Sequence, residues 1–326
     1  IEAVFSAEEK GSERIAGHWL TPGSDSGDPA SWLGNVLPSV PPYRYIKLGL
    51  GDLDGDGITD LVAGAKTDGK PGALIWLRAP AGTATDWRVE VIDELEWVDS
   101  LLLIDLDGDG RRDILVNHIG FIGWYRNPGR AGSAWQRHTI SNATGPYFAV
   151  CANEGSGLTL VVGADISRQI AGGQVLHLLR QGVNGDKAWT HSSIRSLQAV
   201  PRDAGSEDYQ VKGIACGALD DNPLPDVAVT ISGKGNGLFA LMNLDPDRPD
   251  ALELVEIADS ARNSYKGIKY DNLHMADVDG DGDLDLVTTE ENGRSGHWWS
   301  HFQALSLIHI SEPTRPVGIS RMPSSA

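Results

Sequence analysis

The sequence predicts an all-β chain, a β-propeller of four-stranded blades. Three observations predict it. The nine-residue pattern D-x-D-G-D-G-x-x-D occurs three times, at residues 52–60, 105–113 and 277–285. Behind each copy the same order of apolar, β-branched segments returns, with a spacing of about 50 residues. Helical periodicity is hard to find anywhere, whereas short runs bounded by Gly, Pro, Asn and Asp are frequent. A β-helix needs shorter repeats, and a string of sandwich domains needs about 100 residues each.

The units follow in chain order. GHWLTPGSDSGDPASWLGNVL reads as the back half of a first unit, without an acidic loop or leading strand. The first full unit has a leading strand (YIKLGLG), the loop beginning at Asp52, then LVAGAK, GALIWLRAP and WRVEVIDEL. The second repeats the frame with VDSLLLI, the loop from Asp105, ILVNHI, GFIGWYRNPG and WQRHTI. Trp76, Pro80 and Trp87 of one unit correspond to Trp124, Pro128 and Trp135 of the next. Residues 147–194 keep the strands but lose the loop aspartates, with Asn153 and Glu154 in a shortened turn. Residues 209–257 carry a decayed loop in which Ala218 takes the first ligand position, Asp220 the second, Asn222 the third and Asp226 the last. The final unit holds the loop from Asp277 and ends at GHWWSHFQ.

The domain expectation is a propeller over residues 1–304, incomplete relative to a ring of seven or eight blades. Residues 305–326, LSLIHISEPTRPVGISRMPSSA, break the pattern. They resemble the translated adapter of a short-read sequencing library, and are expected to be a non-native tail. The chain starts at Ile1 rather than Met, so the start is expected to be processed, trimmed or missing.

The acidic loops raise a physical question. Five aspartates crowd into nine residues at 277–285, and like charges that close repel. A bound cation answers it. Carboxylates at loop positions 1, 3, 5 and 9, with a backbone carbonyl at position 7, form the oxygen-rich set that Ca²⁺ prefers. Mg²⁺ fits less well, because it takes fewer protein oxygens and keeps its waters. The candidate ligands are Asp52, Asp54, Asp56, Ile58 and Asp60; Asp105, Asp107, Asp109, Arg111 and Asp113; and Asp277, Asp279, Asp281, Asp283 and Asp285. The position-6 glycines Gly57, Gly110 and Gly282 permit the turn. Position 12 offers no bidentate glutamate; Ala63, Val116 and Thr288 stand there. About three Ca²⁺ sites are expected, weak enough to suit extracellular rather than cytosolic calcium.

Net charge is −18 over 326 residues, which disfavours nucleic acid and anionic membrane as partners. No apolar stretch reaches the length of a membrane span. The two cysteines, Cys151 and Cys216, sit in apolar strands and read as small buried hydrophobes, with a disulfide between neighbouring repeats as the alternative. Ten Trp recur mostly at fixed repeat positions, which favours packing between blades over sugar stacking.

The loops, with the W-Y-x-N-P strand (Trp124, Tyr125, Asn127, Pro128), resemble the FG-GAP and VCBS repeat families. The resemblance covers most of residues 45–300 and is closer to the bacterial VCBS type. It implies a calcium-binding propeller of exported or cell-surface proteins, secreted, periplasmic or surface-bound. The expected role is binding or scaffolding, with polysaccharide or a cell-surface protein as partner. The alternative is a carbohydrate-active enzyme of the polysaccharide lyase or sugar dehydratase type. Residues suited to such chemistry are present: His118, His138, His274, His297, His301, Tyr125, Tyr147, Tyr209, Lys212, Lys269 and Tyr270. Nothing in their spacing sets any of them apart, and no zinc motif or nucleophile elbow occurs.

Overall fold

Strand β5 (Asp60–Lys66) and strand β6 (Gly72–Arg78) show why this sequence makes stacked sheets. Both are apolar on both faces, and successive residues of a strand point to opposite sides. Leu61, Ala63, Ala73, Ile75 and Leu77 enter one core cluster, with Tyr45 and Leu37. Val62, Leu74 and Trp76 enter another, with Val98, Ile114, Val116 and Tyr125. A sheet buried on both faces must lie between two neighbours, which is the situation of a propeller blade.

In the computed structural model, the described residues are 3–8, 15–21, 33–38, 40, 43–67, 71–81, 86–95, 98, 100–118, 121–130, 132–142, 147–153, 157–163, 176–181, 189–194, 210–220, 222, 224–232, 237–245, 247–248, 253–259, 268–277, 282–292 and 300–305. Among them there is no helix. The chain is all-β, and its repeated four-stranded antiparallel meanders are blades of β-propeller type.

The chain divides into two units, residues 1–145 and 146–326. In the first, β1 (Ala3–Glu8), β2 (Ile15–Thr21) and β3 (Leu33–Val36) form a three-stranded sheet. Strand β4 (Arg44–Gly51), then β5, β6 and β7 (Arg88–Leu95) make the first full blade. Strands β8 (Ser100–Ile104), β9 (Asp113–His118), β10 (Phe121–Arg126) and β11 (Gln136–Ser141) make the next. The sheets approach closely at Gly64, where an added Cβ would lie 2.7 Å from the side chain of Val98.

In the second unit, β12 (Tyr147–Asn153), β13 (Gly157–Gly163), β14 (Leu176–Gln181) and β15 (Trp189–Ile194) form one blade. Strands β16 (Gln210–Gly217), β17 (Asp226–Ser232), β18 (Gly237–Met242) and β19 (Glu253–Asp259) form another. A three-stranded sheet of β20 (Ile268–Ala276), β21 (Asp285–Asn292) and β22 (Ser300–Leu305) follows. Leu305 closes β22; residues 306–326 of the predicted tail lie outside the described residues. So do Trp298 and Trp299.

The expectation of two separate buried thiols is corrected. Cys151 on β12 and Cys216 on β16 form a disulfide, with Cα atoms 5.3 Å apart. The leading strands of two neighbouring blades run side by side, so the buried Cys151 and the partly buried Cys216 meet at one seam. The covalent bond joins residues 65 apart in sequence. In the chain-entropy picture a loop of that length stabilises by about 4 kcal/mol.

Candidate metal centres in the blade loops

Each acidic loop connects the first and second strands of its blade. Gly57 and Gly110 have φ of 84° and 85°, and Gly282 has φ of 99°. This left-handed turn suits glycine and reverses the chain so that backbone N–H groups face inward. In the first loop Gly55 and Gly57 donate from backbone N to Asp52, each at 2.8 Å. Gly108 and Gly110 donate to Asp105 at the same two distances. Gly282 donates to Asp277 at 3.1 Å. The first aspartate of each loop is therefore fixed by its own turn.

The structure brings three carboxylates together in each of the first two loops. Oxygens of Asp52, Asp54 and Asp56 lie within 4.8 Å of one another, and so do those of Asp105, Asp107 and Asp109. In the third loop Asp279 and Asp281 lie outside the described residues. Asp277 and Asp283 are exposed and Asp285 is buried.

The position-9 aspartates are placed differently. Asp60 is 1% exposed. Its carboxylate accepts from Leu53 N at 3.3 Å, Trp76 Nε1 at 3.0 Å and Ala79 N at 2.9 Å. Asp113 accepts from Leu106 N at 3.0 Å and Asn127 N at 2.8 Å. Asp226, in the decayed loop, accepts from Leu219 N at 2.7 Å and Asn243 N at 2.8 Å. One clamp thus recurs three times. It ties the second loop residue to the residue just past the third strand. Burial pushes the carboxyls of Asp60, Asp113 and Asp226 above the usual range, while the backbone donors pull the other way. The clamp persists around Asp226, where Ala218 has replaced the first ligand, so it needs no metal to form.

Two arginines that sequence reasoning passed over also meet the loops. Arg78, at the end of β6, donates from Nε to Asp54 Oδ2 at 2.9 Å and also from its terminal NH2. Arg126, at the end of β10, pairs with Asp107 at 2.6 Å and with Asp109 at 3.3 Å. Arg111 also binds Asp109. Burial acts to raise the Asp109 pKa, but the backbone donor and charge of Arg111, with Arg126, outweigh it and hold the group below the usual range. The missed signal was positional: Arg78 and Arg126 both stand two residues after the repeat Trp and two before the repeat Pro.

A hard divalent cation fits this donor set. The carboxylates converge, and Asp54 Oδ1 is buried without a hydrogen-bond partner, a costly state unless something positive is bound there. Asp52, Asp54 and Asp56 would hold it in one loop and Asp105, Asp107 and Asp109 in the next, with the carbonyls of Ile58 and Arg111 standing at position 7. The decayed loop is closed on itself. Asn222 donates from backbone and side chain to Asp220, and Leu224 N donates to Asn222 at 2.9 Å.

Of the candidate catalytic residues, four have described side chains. Tyr125 is buried, and its hydroxyl donates to Asp93 at 2.6 Å. His138 stacks on Trp124 with ring centroids 4.4 Å apart. His274 is exposed and Lys212 half-buried. The side chains of His118, His297, His301, Tyr147, Tyr209, Lys269 and Tyr270 lie outside the described residues. Of the tryptophans, Trp76 and Trp124 are buried in the sheets, and Trp87 and Trp135 pack against core clusters. No helix among the described residues is long and apolar enough to cross a membrane.

Comparison with curated proteins finds no match. Among solved structures, the chain is similar to NanB with bound Optactamide, at 10% identity and a TM-score of 0.47, covering 93% of this chain and 55% of that one. It is similar also to a point mutant of the NanB sialidase from Streptococcus pneumoniae, at 10% identity and a TM-score of 0.42, covering 86% of this chain and 39% of that one. The chain thus spans well under two thirds of the length of either. Residues 52–116, from the first aspartate of one loop through the strand behind the next, match the family model of the FG-GAP-like repeat.

Proposed function

We propose that this β-propeller module is an exported, calcium-stabilised binding or scaffold unit, with a polysaccharide or a cell-surface protein as its partner. The observation that carries the calcium reading is the convergence of three carboxylates in each of two successive loops, with one buried oxygen of Asp54 unpartnered. The FG-GAP-like match over those loops supports the same reading. Export is supported by the Cys151–Cys216 disulfide, since such bonds persist in oxidising compartments and are rare in the cytosol. Loops without a bidentate twelfth ligand suit calcium at about 10⁻⁴–10⁻³ M, as found outside cells.

The test is calorimetric titration of the metal-free chain with Ca²⁺, with thermal melts in calcium and in EGTA. About three sites are expected. A hundredfold excess of calcium over Kd stabilises by about 2.7 kcal/mol per site. An unchanged melting temperature in EGTA, or a nanomolar Kd, would count against the reading. Partner class is tested by a glycan array probed in calcium and in EGTA; binding confined to the calcium arm supports polysaccharide.

A further inference from the structure

We infer that Arg78 and Arg126 are resident counter-cations of the acidic loops, which hold each carboxylate triad together without metal and give way when calcium binds. The inference rests on the calcium reading above and adds to it a residue that sets how tightly calcium is held.

Register places the two arginines identically. Leu77 lies opposite Leu61, and Tyr125 opposite Ile114, so Arg78 and Arg126 follow at the same point beside the loop exit. Each grips the position-3 carboxylate of its own loop, Asp54 or Asp107. Those side chains are 7% and 5% exposed. Two carboxylates so deeply buried, each beside two more, demand positive charge. Arg78 is also positioned from behind. Its guanidinium lies 5.3 Å from the Trp76 ring centroid, and the Trp76 indole is anchored on Asp60.

The other two blades supply an internal comparison. Val227 lies opposite Leu241, so Met242 occupies the arginine position beside the decayed loop, whose first ligand is Ala218. Where the acidic triad is lost, this blade places a neutral side chain. In the blade without loop aspartates, Arg180 stands at the position and pairs instead with Asp247 at 2.8 Å.

Calcium and guanidinium draw on the same carboxylate: Arg78 holds Asp54 Oδ2, while Oδ1 is left without a partner. A guanidinium hydrogen-bonded to a carboxylate is a charge-assisted contact that an incoming cation must displace, a handicap of about tenfold or more in affinity. The metal-free chain should therefore be less frustrated, and its calcium affinity lower, than the aspartates alone would produce.

The experiment compares wild type with Arg78→Met, the residue the chain itself uses at the aligned position, and with Arg137→Met, an arginine that contacts Asp93 and Phe121 away from the loops. Calcium binding is read by calorimetry and metal-free stability by melts in EGTA. Expected for Arg78→Met is about tenfold tighter binding at one site and a melting temperature in EGTA lower by about 2–4 °C. Arg137→Met should leave calcium affinity unchanged. If Arg78→Met does not fold, Arg78→Lys keeps the charge but not the fork, and calcium binding tighter than wild type in Arg78→Lys supports the inference. Wild-type calcium binding that is unchanged or weakened in Arg78→Met and in Arg78→Lys overturns the counter-cation role and leaves the calcium reading standing. Absence of calcium binding in every chain overturns both.

Discussion

Replacing Asp226 by Ala isolates the loop clamp from any metal, because its loop has lost the first ligand. Asp226 is 0% exposed. Its carboxylate satisfies the N–H of Leu219 at 2.7 Å and of Asn243 at 2.8 Å. Asn243 has φ of 64°, an uncommon conformation for a residue with a side chain, so its N–H is held in place by the bond it makes. Truncation leaves two buried donors, each costing about 1–3 kcal/mol. Relief of the carboxylate's burial, visible in its raised pKa, returns part of this. A net loss of about 3 kcal/mol follows. Asp226→Asn keeps one acceptor but turns an amide N–H₂ toward a backbone donor, and should lose at least half as much. The assay is urea unfolding followed by tryptophan fluorescence, in calcium and in EGTA. The loss should be equal in both. A loss under about 1 kcal/mol, or one seen only with calcium, refutes the clamp.

Asp54→Ala and Asp107→Ala should each abolish one calcium site in calorimetry, whereas Asp220→Ala should leave the stoichiometry unchanged. Cys151→Ala with Cys216→Ala should cost about 2–4 kcal/mol, and reductant should lower the wild-type melting temperature but not the variant's. Tyr45 is buried, its hydroxyl donates to Pro38 O at 2.5 Å, and burial raises its pKa from 10.0 to about 12. The folded state holds this proton more tightly than the unfolded chain. The resulting stability is present below pH 10 and is lost as pH rises to 12, about 3 kcal/mol in all. Melts between pH 9 and 12 should therefore slope less steeply in Tyr45→Phe; equal slopes refute the assignment.

The strands and blades were legible because burial on both faces writes long β-branched runs between turn residues, as in LVAGAK and GALIWLRAP. The triads were legible because carboxylates at alternate loop positions, with glycines between them, repel one another unless a cation sits among them. The loop pattern did not distinguish the work of Asp60 and Asp113 from that of Asp52 and Asp105. All are aspartates at loop positions, but the former begin a buried strand and face backbone donors that a sequence does not display. Arg78 and Arg126 were unread because a charge at a strand end looks like ordinary surface; only the register shows that it lands on Asp54 or Asp107. The disulfide was passed over in favour of two buried thiols because two cysteines 65 residues apart meet only if their strands lead adjacent blades.

One amide in the W-Y-x-N-P strand ties two of these loops together. Asn127 is 1% exposed; its Nδ2 donates to Leu53 O at 2.7 Å and to Arg112 O at 2.9 Å, and its Oδ1 accepts from Gly129 N at 2.8 Å. Leu53 belongs to the loop of one blade and Arg112 to that of the next. Repeats that touch only their neighbours behave as a one-dimensional lattice, whose cooperativity lies in the interface terms. Asn127 is such a term in atomic form. Its loss should remove one bond between the blades, to Leu53 O, along with two inside its own, and broaden the melting transition, as two loops that had opened together come to open one at a time.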